Sequence, residues 1–124
     1  MVEMKTATPQ DTFDHMLGAG AFQWSWWLDC QVTGETGATG TVNDDWTAEI
    51  TAETGDGGKA TKTIDHKAIL RACRSVMAEL PRFASQDLAR ECRNLIFDAD
   101  AADFDAPLAD ELLQFMVLGE IVFG

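Results

Sequence analysis

Basic residues are scarce in this chain: nine Lys and Arg stand against 21 Asp and Glu, for a formal charge of −12. A phosphate-binding surface must supply Lys and Arg, so this balance argues against direct binding of nucleic acid or an anionic membrane. Cysteine is sparse as well. Cys30, Cys73 and Cys92 are odd in number and widely spaced, with no CxxC or CxxH pair, so no zinc site is expected. Each falls on the apolar face of an expected element, where a reduced thiol behaves as a small hydrophobe. No run approaches the roughly 20 apolar residues of a membrane helix. The start, MVEMKTATPQ, lacks the basic beginning and apolar stretch of a secretory leader, which points to the cytoplasm. Catalytic signatures are also missing. There is no GxSxG, P-loop or GxGxxG, and the glycine runs at 34–40 and 54–58 read as hairpin turns. Neither an enzyme nor a cofactor is expected.

What is present is a chain of ordinary globular composition, 124 residues and 46% hydrophobic, which predicts a single domain over 1–124. Thr8-Pro9 with Asp11 opens a helix over about 9–17, and Gly18-Ala-Gly20 stops it. In AFQWSWWLDCQVT, residues 21–33, Phe22, Trp24, Trp26, Leu28, Cys30 and Val32 occupy every even position. This alternation predicts one long strand with those six residues in the core, and Trp27 as the exception on the polar face. A second strand carries Val42, Trp46, Ala48, Ile50 and Ala52, and a third runs over about 59–64. Pairing Thr33 with Thr41 sets Leu28 opposite Trp46 and Trp24 opposite Ile50, so the apolar faces agree. Helices follow over about 66–79, capped by Asp65; about 86–97, capped by Ser85; and about 106–118, preceded by Asp105. The closing GEIVFG is apolar enough to dock on the body. The fold class is α+β, a three-stranded antiparallel meander with one face covered by helices, in the order α-β-β-β-α-α-α.

Four features could carry function. The cluster Asp98, Asp100, Asp103 and Asp105, with Asp110 and Glu111, fails a calcium loop. Counted from Asp98, the fifth position is Ala102 and the twelfth is Ala109. Carboxylates in rows can instead imitate nucleic-acid phosphates: Asp44, Asp45, Glu49 and Glu53 line the second strand, with Asp98 to Asp105 elsewhere. His15 and His66 are single histidines with no spacing that proposes a nucleophile pair. Trp27 on the polar face is either covered by a terminal segment or exposed as an interface anchor, with Gln23, Ser25, Asp29, Thr47 and Glu49 around it.

The phrases GAGAFQWSWWLDCQV and LGEIVFG, together with the overall layout, resemble small acidic proteins of unassigned function encoded by actinobacterial phages. Only four lysines, no tyrosine and much Ala, Asp and Gly agree with a GC-rich coding bias. The resemblance implies no activity and no site residues.

The expectation is therefore a small acidic protein-binding protein, a phage-encoded factor such as an inhibitor or DNA mimic acting on a host protein. Its partner would be basic or itself nucleic-acid-binding, steered by the acidic surface. The candidate contact residues are Trp27, Asp29, Asp44, Asp45, Glu49, Glu53, Asp98, Asp100, Asp103 and Asp105. A self-associating structural or virion component is the alternative, and a small enzyme without a recognisable motif is the third.

Overall fold

The computed structural model describes residues 4–124, so the first three residues of the N-terminal stretch read for a leader lie outside it. The chain runs through α1 (Pro9–Leu17), β1 (Trp27–Glu35), β2 (Val42–Glu53), β3 (Lys59–Asp65), α2 (His66–Ala78), α3 (Gln86–Phe97) and α4 (Ala106–Leu118), with 3-10 turns at Ala21–Gln23 and Ala99–Ala101. The strands form one antiparallel sheet in the order β1-β2-β3. The order α-β-β-β-α-α-α and the α+β class are as the sequence predicts. No helix among the described residues is long and apolar enough to cross a membrane.

The helix starts follow from local chemistry. Thr8 and Asp11 form a reciprocal capping box, satisfying two backbone N–H groups that the helix leaves free. The side chains of Asp65 and Asp105 accept the N–H groups of Ala68 and Leu108. Ser85 departs from expectation. Its side chain makes no capping bond, and its own N–H donates to Glu111 Oε1 at 2.6 Å.

The first strand is where local alternation misleads. Residues 21–26 do not extend. Gly20 sits at φ +91°, a 3-10 turn follows, and Trp27 N–H donates to Trp24 O at 3.3 Å to close a second turn. The strand begins only at Trp27. Between Trp27↔Ala52 and Asp29↔Thr51, β1 advances two residues while β2 advances one. This bulge puts Trp27 and Cys30 on the same side of the sheet. Trp27 is therefore buried, at 8% exposure, while Leu28, expected in the core, is 42% exposed. Phe22, Trp24, Trp26, Cys30 and Val32 are half-buried around the core.

The register also differs. Thr33 pairs with Thr47, Val32 with Ala48 and Cys30 with Ile50, six residues from the expected alignment. Six is even, so even residues still meet even residues. Half of the displacement arises at a second irregularity, where Thr33↔Thr47 is followed by Glu35↔Val42, so that residues 43–46 of β2 lack partners on β1, and a longer hairpin loop supplies the other half. Gly34, at φ +98°, permits this: a Cβ there would lie 2.8 Å from Trp46 Cα. Trp46 fills the space beneath, fully buried. It packs edge-on to Phe13 at 5.3 Å and donates its Nε1–H to Pro9 O at 2.8 Å.

Ile50 and Ile64 from the sheet and Ile69, Val76, Leu88, Leu95, Leu112 and Leu113 from the helices complete the core, each at most 1% exposed. The opposite face stays polar. Asp29, Gln31, Thr33, Glu49, Glu53, Thr61 and Thr63 are exposed there.

Candidate functional site

A candidate site lies where the turn before β1, the loop between α2 and α3, helix α4 and the C-terminal tail meet. A groove of about 230 Å³ is lined by Trp24, Trp26, Phe83, Pro107, Asp110, Glu111, Ile121, Phe123 and Gly124. The turn at 24–26 brings two tryptophans to one side, stacked at 5.6 Å and 6° between planes. Phe123 continues the stack on Trp26, at 5.1 Å and 9°. GEIVFG thus docks as expected, but it covers Trp26 rather than Trp27.

The tail is held by one side chain. Gln114 Oε1 accepts the N–H groups of Val122 and Phe123, at 2.9 and 2.8 Å, and its Nε2 donates to Phe123 O and to Asp110 Oδ2. Asp110, only 5% exposed, accepts the indole N–H groups of Trp26 and Trp27 on Oδ1, at 2.8 and 2.7 Å. A buried carboxylate is tolerable only when its lone pairs are satisfied, and three donors do that here. One Asp–Gln pair at i, i+4 on α4 therefore fixes both tryptophans and the tail.

Phe83 also lines the groove. It is 74% exposed and sits at φ +70°, the sole non-glycine positive φ among the described residues. Ala84 N–H donates to Pro81 O at 3.1 Å, which makes Phe83 the third residue of a tight turn, a place usually given to Gly or Asn. Glu111 lies beside it. Burial raises its carboxyl above the usual range, with Asp110 and Asp105 adding to the rise, although the Ser85 hydrogen bonds oppose it. The groove thus combines aromatic faces with carboxylate oxygens, the chemistry that receives an organic cation.

The candidate residues named from sequence fall into separate groups. Trp27 is inside and offers no exposed anchor. Asp29, Glu49 and Glu53 share the open sheet face. Asp44 and Asp45 sit on the part of β2 without partners on β1, exposed, at a cleft of about 260 Å³ completed by Trp46, Asp65, His66 and Lys67. Asp98, Asp100, Asp103 and Asp105 are exposed along the connection between α3 and α4, where Lys5 pairs with Asp100 at 2.8 Å and Asp105 caps α4. His66 Nδ1 is 3.0 Å from Thr12 Oγ1. Burial lowers the pKa of His66, against the nearby Asp65, Asp44 and Asp11 charges. No group of three or more metal-ligating side chains occurs among the described residues.

Sequence reasoning missed Phe83 and Gln114. Asp110 and Gln114 did leave a signal, two polar residues four apart among Leu108, Leu112 and Leu113. Phe83 left none, because its role depends on segments that meet only in the folded chain. No protein-family model, curated protein or solved structure matches this chain.

Proposed function

We propose that this chain is a small acidic protein-binding protein whose aromatic groove takes a Lys or Arg side chain of a basic partner. The observation that carries the reading is Phe83: an exposed aromatic held in a left-handed backbone, lining the same groove as the Trp24–Trp26–Phe123 stack and the half-buried Glu111. Strained residues persist where the surroundings enforce them, and such sites cluster at ligand contacts. Ring faces attract a cation by about 0.5–2 kcal/mol each, more as water leaves. Glu111 supplies the counter-charge, and the −12 surface raises the encounter rate. The role is one of binding, not catalysis, in the cytoplasm, and a phage-encoded inhibitor of a host protein would fit it.

The test is a titration with a fluorescent peptide alternating Arg and apolar residues, read by anisotropy and tryptophan emission. Phe83→Ala and Trp24→Ala are each expected to weaken binding about 30-fold, the size of an interface hot spot. Equal affinity of both variants and wild type would remove the groove from consideration.

A second reading, imitation of nucleic acid, is supported by the common face of Asp29, Glu49 and Glu53. In that case duplex DNA would compete for the partner, and Glu49→Lys would abolish binding while Phe83→Ala left it intact.

A further inference from the structure

The few basic residues are not spread evenly. Residues 59–78, β3 and α2, hold five bases (Lys59, Lys62, Lys67, Arg71, Arg74) and one acid, Asp65, a formal +4. The remaining four bases and 20 acids make the rest of the chain −16. All five cations are exposed. Ion pairs within 4 Å among the described residues involve only Lys5 and Arg90 as cations, so in a chain rich in carboxylates these five have none.

The sheet has two edges, and they differ in sign. Among the described residues, each of β1 and β3 has a single strand neighbour. β1 presents Asp29 and Glu35, both exposed, and no base. β3 presents Lys59 and Lys62. Beside β3, Lys62 and Arg71 rim a cleft of about 260 Å³ floored by Ile64, Ala72 and Met116. On β1, Leu28 is exposed, and Cys30 and Val32 are only half-buried. Edge lysines ordinarily block pairing with another strand. Here they block only their own kind. A β1–β1 contact sets acid on acid and β3–β3 sets base on base, whereas β1–β3 sets acid on base.

We infer that the β3 edge of one copy receives the β1 edge of a second copy, extending the sheet, with Cys30 and Val32 lying over the cleft that Lys62 and Arg71 rim. Backbone hydrogen bonds supply the attraction and the edge charges select the partner strand. Such a contact is heterologous, so it generates a ring or an open chain rather than a two-fold dimer. It uses neither Phe83 nor the tryptophan groove, so it stands or falls separately from the function proposed above.

The experiment is sedimentation velocity from micromolar to millimolar protein at an ionic strength of about 0.15 M, where the net repulsion is screened beyond roughly 8 Å. Three proteins are compared: wild type, Lys59→Glu/Lys62→Glu, and Asp29→Lys/Glu35→Lys, each first shown to be folded by circular dichroism. Wild type is expected to assemble with rising concentration, and Cys30 to lose reactivity toward iodoacetamide in step. Each variant alone is expected to stay monomeric, and their equimolar mixture to assemble again, because each then meets an opposite edge. Wild type monomeric at millimolar concentration, a variant that assembles like wild type, or a mixture that stays monomeric would each overturn the inference.

Discussion

Phe83 states the conflict between stability and use most directly. Its left-handed backbone costs a side-chain-bearing residue about 1–3 kcal/mol, and its ring, 74% exposed, recovers little by packing. Arg82 lies over that ring at 4.9 Å, a contact of small worth at an exposed site. Glycine relieves the strain and adds about 0.5–1 kcal/mol of backbone entropy to the unfolded state. Phe83→Gly is therefore expected to raise stability by about 1 kcal/mol in urea denaturation while weakening peptide binding in the groove as Phe83→Ala does. A loss of stability would mean that the ring holds the loop in place, and the case for a strained contact residue would fall. Trp27 teaches the converse lesson. Its position in the alternation placed it on the polar face, and one extra residue in β1 carried it to the core side to share Asp110 with its neighbour Trp26.

Elements divide into those whose ends are written locally and those whose partners are not. The boundaries of α1, α2 and α4 could be read because Thr8, Asp65 and Asp105 act on N–H groups three residues away. The strand register could not. Both irregularities answer to packing, at Gly34 against Trp46 and at the turn that stacks Trp24 on Trp26. The groove was illegible for the same reason, since it joins residues 24, 83, 110 and 123. A local rule returns at Glu91 on α3, 4% exposed, which pins the connection to α4. It accepts Asp103 N–H at 2.8 Å, Asn94 Nδ2–H at 3.1 Å and Arg90 Nε–H at 2.8 Å. Burial works to raise its pKa, but these donors outweigh it and hold the group below the ordinary 4.5. With the folded pKa below the unfolded one, the unfolded state takes the extra proton, so this stabilisation exists above about pH 4.5 and is lost as pH falls through the folded value. Glu91→Gln is expected to cost about 1–3 kcal/mol at pH 7. That gap should close as urea midpoints are followed down through the acid range. A gap independent of pH would show that the charge of Glu91 contributes nothing.

At the scale of the whole molecule the governing quantity is charge, and it separates into a small basic territory on a much larger acidic one. The totals were plain in the sequence; the separation was there as well, in the run of bases from Lys59 to Arg74, but its meaning depended on β3 being an edge. Self-repulsion among 21 carboxylates opposes compaction. Against it stand, among the described residues, three ion pairs, whose cations Lys5 and Arg90 are largely exposed, and exposed pairs contribute about 0–1 kcal/mol each. Salt screens both, yet it relieves far more repulsion than it removes attraction, because the Debye length falls from about 30 Å at 0.01 M to about 3 Å at 1 M. Raising sodium chloride from low to high is therefore expected to stabilise the fold by about 1 kcal/mol, roughly a 4 °C rise in Tm for a chain of this size. Chloride is the right anion for the measurement, since sulfate strengthens apolar burial in any protein. The melt should be followed on Lys59→Glu/Lys62→Glu, so that edge association does not add its own concentration-dependent gain. A Tm that stays flat or falls with chloride would mean that the carboxylates lie too far apart to oppose folding, and that the acidic surface acts only on encounter with a partner.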